Sequence, residues 1–137
     1  MAALDGGVLE QGTINSVNTV YAQVIDRLGP KTVVEVAERM GLRCCRSVSN
    51  PRRPLKPYLS AVLGTNEVNT LEMASAYGTL ATGGLRVRPV PVSRITDARG
   101  TILWEADIAP QRVLDPQLTS VENGVLNEAV LEKISMG

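Results

Sequence analysis

The sequence predicts a mostly helical α+β fold with one β-hairpin, and three observations lead there. Apolar residues recur at three- and four-residue spacing through four stretches, as they do on the inner face of a helix. Between Val90 and Glu105 the helical period is lost around Asp97-Ala98-Arg99-Gly100, a turn sequence in which Gly100 supplies the positive φ of a bulged hairpin. The strands are too few to build a central sheet. At 137 residues the chain is one domain's worth of sequence, long enough to bury a real core. Its apolar fraction is 44%, yet it has no Phe, one Trp and three Tyr. The core must come from Val, Leu, Ile, Ala and Met, small pieces that depend on close helix packing.

Residues 1–15 are mostly small and polar, with Gly6, Gly7 and Gly12. They read as a loose lead-in with a short helical turn around Val8 to Gln11. Val17, Val20, Tyr21, Val24, Ile25 and Leu28 then form one helical face, with Ser16 or Asn18 as N-cap and Gly29 as stop. Pro30 suits the first turn of a second helix, where its missing N–H is not needed. Val33, Val36, Ala37 and Met40 form the inner face of that helix, and Gly41 closes it.

Arg43, Arg46, Arg52, Arg53 and Lys56 are interleaved with Pro51, Pro54 and Pro57, which excludes helix or central strand. This is either a solvated basic loop or a contact surface for an acidic partner. Thr70 is the expected N-cap of a helix over Leu71 to Thr82, with Glu72 in its first turn. Apolar residues lie on most sides of this helix, so it is expected to be largely buried, with Tyr77 in the core. Val90–Thr96 and Thr101–Glu105 are the hairpin strands, and Trp104 is expected to pack. Val113-Leu114 reads as a short extended piece. Asp115-Pro116 opens a last helix with Leu118, Val121, Val125, Leu126, Ala129 and Val130 on one side.

Several functions are excluded by composition. Fourteen basic and fourteen acidic residues give no net charge, which argues against nucleic acid or an anionic membrane as partner. No apolar run spans a bilayer and no signal-peptide pattern opens the chain; an export signal, if the parent has one, is expected outside this sequence. There is no His, so a Ser-His-Asp or Cys-His pair and a His-ligated zinc are absent. Cys44 and Cys45 are adjacent and do not make a C-x-x-C spacing. They are free thiols, a vicinal disulfide, or bonded to another chain. No cofactor and no metal site are expected.

Function is carried by local strings. Ser16-Val17-Asn18 opens a helix that runs to Leu28-Gly29-Pro30. Met40-Gly41, Leu63-Gly64-Thr65-Asn66-Glu67-Val68 and Leu71-Glu72-Met73-Ala74-Ser75-Ala76-Tyr77 follow in order. Gly83-Gly84, Pro89, Arg94-Ile95-Thr96-Asp97, Gly100 and Val113-Leu114-Asp115-Pro116 complete the set. A lone S-x-N is weak, but the ordered set resembles the transpeptidase domain of class A, bifunctional penicillin-binding proteins. The resemblance runs from about Ser16 to about Val125 and leaves 126–137 unmatched. It implies the helical lobe of the penicillin-binding transpeptidase and serine β-lactamase-like fold, with the central sheet largely missing. Residues 1–137 are thus expected to be a partial transpeptidase domain.

The departures are specific. None of the eight serines has Lys three positions on, and no K-T-G or K-S-G occurs. Lys31-Thr32 is followed by Val33 and does not count. Either the segment has been cut and joined at both ends, or it comes from a divergent gene. The family's reaction is acyl transfer to and from a serine activated by the S-x-x-K lysine. By resemblance, Ser16 would help pass a proton to the leaving nitrogen, and Asn18 would hold the substrate amide and the first lysine. The alternative is that both residues only cap a helix.

In the intact parent the resemblance implies peptidoglycan stem peptide or a β-lactam as partner, together with the missing parts of the same domain. It also implies anchoring on the outer face of the bacterial inner membrane. The chain alone is expected to be non-catalytic, with exposed apolar faces near the hairpin and the Leu71 to Ala81 helix and a tendency to self-associate. The competing reading is a binding or structural module derived from that lobe.

Overall fold

The computed structural model describes residues 5–43 and 54–135; the Cys44-Cys45 pair and most of the basic loop lie outside them. Five helices run Gly6–Ile14 (α1), Asn18–Leu28 (α2), Pro30–Arg39 (α3), Thr70–Ala81 (α4) and Pro116–Ser135 (α5). A 3-10 helix spans Leu59–Leu63. Four short strands, Leu85–Arg86 (β1), Arg94–Thr96 (β2), Ile102–Glu105 (β3) and Gln111–Arg112 (β4), form two separate antiparallel pairs, β1 with β4 and β2 with β3. The fold is mostly helical α+β, with no central sheet among the described residues.

The stretch expected as a loose lead-in is a nine-residue helix. The Asp5 carboxylate caps it, accepting from Val8 N at 2.9 Å. Its glycines hide the helical period, and packing on α2 and α5 holds it instead. Gly12 is the contact with α2: a Cβ there would lie 2.8 Å from Val20 Cγ1.

In α2, Ile25 is 1% exposed, while Val20, Tyr21 and Val24 are half-buried and Val17 and Leu28 are exposed. Neither Ser16 nor Asn18 caps it; Val17 holds the N-cap position and no side chain bonds there. Gly29 stops α2 at φ 79° and Pro30 begins α3, as expected. On α3, Val34 is buried deeper than the expected Val33, in a cluster with Leu55, Ala37, Leu42 and Val68. Glu38 Oε1 accepts from Leu55 N at 2.9 Å and ties the chain after the basic loop to this helix.

Asn69, not Thr70, caps α4, its side-chain oxygen accepting from Glu72 N at 2.8 Å. Asn is the stronger cap of the two and stands one residue earlier. α4 is not largely buried. Ala76 and Thr79 are buried, but Leu71 is 64% and Tyr77 57% exposed, so Tyr77 is not a core residue. A helix apolar on most sides needs neighbours on most sides, and among the described residues its partners are α5 and β1. At the α4–α5 contact Thr79 and Thr119 are each 1% exposed. Their hydroxyls donate to the Ser75 and Pro116 carbonyls at 3.1 and 2.9 Å, and Asn123 Nδ2 donates to Leu80 O at 2.8 Å. Both buried threonines are thus satisfied.

Past α4, the Gly84 carbonyl accepts from Val113 N and Leu114 N at 2.9 and 3.3 Å. The extended piece lies at Gln111–Arg112, just before the expected Val113-Leu114. The hairpin strands are shorter than expected, but the turn is as predicted, with Gly100 at φ 85°. Arg94 and Glu105 pair across it at 2.6 Å. Trp104 is 48% exposed; β2 and β3 pack chiefly on each other, so the indole is only half covered. α5 begins at Pro116 with Asp115 Oδ1 accepting from Gln117 N at 2.7 Å. Val125, Leu126 and Ala129 turn inward, while Leu118, Val121 and Val130 are exposed.

Gly84 combines φ 89° with an ideal Cβ position 2.3 Å from Leu114 O. Gly84→Ala is expected to destabilise the chain by on the order of 3 kcal/mol, measured by urea denaturation. The Asp97 carboxylate is held below its ordinary pKa by the amide of Thr101, and then by that of Arg99. A lowered folded pKa means the turn is fully supported above the ordinary carboxylate value and loosens as pH falls through the lowered one. The Arg99 and Thr101 amide resonances should therefore move towards unfolded positions in that acid window, and in Asp97→Asn they should not titrate.

Candidate functional site at the corner of two helices

Three helices end with the same pair of backbone hydrogen bonds. At α3, Gly41 N bonds to Glu38 O and Leu42 N to Ala37 O, at 3.0 and 3.1 Å. At α4, Gly83 N bonds to Leu80 O and Gly84 N to Thr79 O, at 3.1 and 2.8 Å. At α1, Ser16 N bonds to Thr13 O and Val17 N to Gly12 O, at 3.1 and 2.8 Å. This is the Schellman closure, whose pivotal residue has positive φ and is usually glycine. Gly41 and Gly83 meet that demand at φ 105° and 70°. The third pivot is Ser16 at φ 54°, the one non-glycine residue with positive φ among those described. For an L-residue this costs about 1 kcal/mol.

Side chains fasten the corner. The Thr13 and Tyr21 hydroxyls are 2.7 Å apart, Gly12 lies against Val20, and Asn15 Nδ2 donates to Gln11 O at 3.0 Å. The Ser16 backbone is thus fixed while its side chain is exposed. Asn18, the first residue of α2, is exposed too. A hydroxyl is both donor and acceptor, and a carboxamide offers both on one plane. Together they present a short polar edge at the end of α1. None of Lys31, Lys56 and Lys133 is hydrogen-bonded to it. An open groove of about 630 Å³ runs from Gln11 and Ile14 of α1 to Glu128, Leu131 and Ile134 of α5.

The sequence-predicted residues Ser16 and Asn18 therefore share one corner. Sequence reasoning missed the strain at Ser16, because serine carries no signal for positive φ; only the glycines at the other two helix ends hint at what that position requires. It also missed the apolar hollows between α3, α4 and α5, which share Met40, Leu80 and Glu122 and reach Tyr77. Among the described residues no three of His, Cys, Asp and Glu gather as metal ligands. No helix there is long and apolar enough to cross a membrane.

Residues 5–133 match the family model of the penicillin binding protein transpeptidase domain. Penicillin-binding protein 1A of Aquifex aeolicus is 32% identical over 124 residues, 90% of this chain and 16% of that protein. Penicillin-binding protein 2D of Bacillus subtilis is 34% identical over 94 residues, 69% of this chain and 12% of that protein. The chain thus spans about a sixth or less of the length of these relatives. Among solved structures, penicillin-binding protein 1A of Haemophilus influenzae superposes with a TM-score of 0.72 at 22% identity, over 90% of this chain and 22% of that one. The penicillin G acyl-enzyme complex of penicillin-binding protein A from Mycobacterium tuberculosis gives 0.71 at 21% identity, over 88% and 31%. At these identities the structural likeness establishes the fold.

The strain at Ser16 can be measured directly. Ser16→Gly is expected to raise stability by about 0.5–1 kcal/mol, because glycine takes the positive φ freely. Ser16→Val should lower it, since a β-branched side chain resists that conformation. Urea midpoints of the two variants against the parent chain check both signs.

Proposed function

The chain belongs to the penicillin-binding protein transpeptidase family, and from that premise we propose that it forms the S-x-N lobe of a D,D-transpeptidase cross-linking peptidoglycan stem peptides by serine acyl transfer. The observation that carries this reading is the strained serine. Two equivalent helix ends use glycine, whereas the first keeps a serine at a conformational cost. Its hydroxyl caps nothing and has no protein partner among the described residues, so the cost serves a group outside the fold of the lobe. Retention of a side chain at such a pivot fits a proton relay better than a helix cap.

In the working domain, the attacking serine and its lysine lie on the S-x-x-K segment, and one oxyanion donor lies on the K-T-G strand; neither motif occurs in this sequence. Ser16 passes a proton to the departing nitrogen, while Asn18 fixes the substrate amide through its carboxamide. Proton transfer of this kind requires a nucleophile to relieve, so the chain alone forms no acyl-enzyme. The parent is placed on the outer face of the bacterial inner membrane, where stem peptides and β-lactams are met. The exposed apolar faces of α4, α5 and the hairpin meet the missing parts of the domain, and in isolation they leave the chain prone to self-association.

Intact mass after incubation with excess benzylpenicillin tests this. The 137-residue chain should gain no adduct, and under native conditions the same sample should contain dimers. The longer parent should gain one acyl group, with Ser16→Ala slowing acylation on the order of 10²- to 10⁴-fold. An adduct on the short chain would overturn the reading of an incomplete site. Unchanged acylation in the Ser16→Ala parent would return Ser16 to a purely structural role, whereas a gene with no S-x-x-K upstream and no K-T-G downstream of this segment would favour the binding-module alternative.

A further inference from the structure

A second pocket, of about 270 Å³, has no residue in common with the helix corner. Arg86, Arg88, Asp107 and Gln111 line it, together with Ile108 and Ala109. Arg86 leaves β1 and lays its guanidinium on Gly41: a Cβ at Gly41 would lie 2.7 Å from Nε and 3.1 Å from Cζ. Gly41, at φ 105°, leaves the room for this close seat. Its Nε is buried and has no acceptor among the described residues. A buried donor without an acceptor is disfavoured and calls for a partner. Arg43, Arg94 and Arg112 by contrast donate to Glu38, Glu105 and Gly83.

Two arginines and one aspartate give the lining a formal charge of +1. Asp107 Oδ1 accepts from Ala109 N at 3.3 Å, and no ion pair joins Asp107 to either arginine. Residues 44–53, which follow Gly41 along the chain, contain three Arg and no Asp or Glu, so that stretch brings no carboxylate of its own. We propose that this pocket is a carboxylate-binding site, in which the seated Arg86 and the exposed Arg88 hold one carboxylate group while Asp107 disfavours more highly charged anions. A planar, singly charged acceptor matches a guanidinium fork; a phosphate dianion would also meet the Asp107 carboxylate.

The Nε–Hε resonance of Arg86 reports on the site directly. Titrating the full chain with sodium acetate should shift it saturably. Sodium chloride at equal ionic strength should leave it in place, and inorganic phosphate should bind more weakly than acetate. Arg88→Gln, an exposed change, should weaken the acetate response by about tenfold, the loss of one charged hydrogen bond. Superimposable acetate and chloride titrations, or tighter binding of phosphate, would overturn the proposal. In the longer parent, an Arg86 resonance already shifted and deaf to acetate would identify an acidic side chain of the same domain as the carboxylate. A persistent acetate response would identify a free acid.

Discussion

The contact between Gly12 and Val20 is the one on which the corner between α1 and α2 depends. A chain without Phe cannot fill wide spaces between helices, so its backbones must come together instead. At Gly12 the approach leaves no room for a methyl group, and the result is a corner of three residues between α1 and α2. The same economy governs α4 and α5, where Thr79 and Thr119 occupy the tightest positions and bond within their own helices. Close approach in this protein is made with glycine and threonine, where a larger core would use aromatic rings.

The corner then sets the position of Ser16. Its amide bonds fix the backbone and the Thr13–Tyr21 hydroxyl contact holds the helices, so a polar side chain is presented without needing bonds of its own. Local rules of helix termination would place glycine there, as they do at Gly41 and Gly83. Where a sequence breaks a rule that it otherwise keeps, function is the usual reason. Glycine, the residue that would relax the fold at this position, would remove the hydroxyl.

Much of this was legible in the sequence. Gly29 and Pro30, the Asp97-to-Gly100 turn and the Asp115-Pro116 start are local devices, set by φ preferences and missing or added hydrogen bonds, and they stand where the strings put them. The family was legible by resemblance, from the ordered strings. α1 was not, because Gly6, Gly7 and Gly12 break its period and its support comes from α5, far along the chain. The exposure of Tyr77 and Trp104 was not legible either. Burial is decided by what packs on a face, and an apolar pattern on α4 records a need for neighbours without saying which part of a protein supplies them.

Trp104 is the sole tryptophan and stands on a hairpin that packs chiefly on itself. Its fluorescence is therefore a property of that hairpin. The optical signal most often used to follow the melting of a whole protein would here follow a peripheral appendage. The helical lobe would melt unseen unless it were watched through its backbone, by circular dichroism in the far ultraviolet.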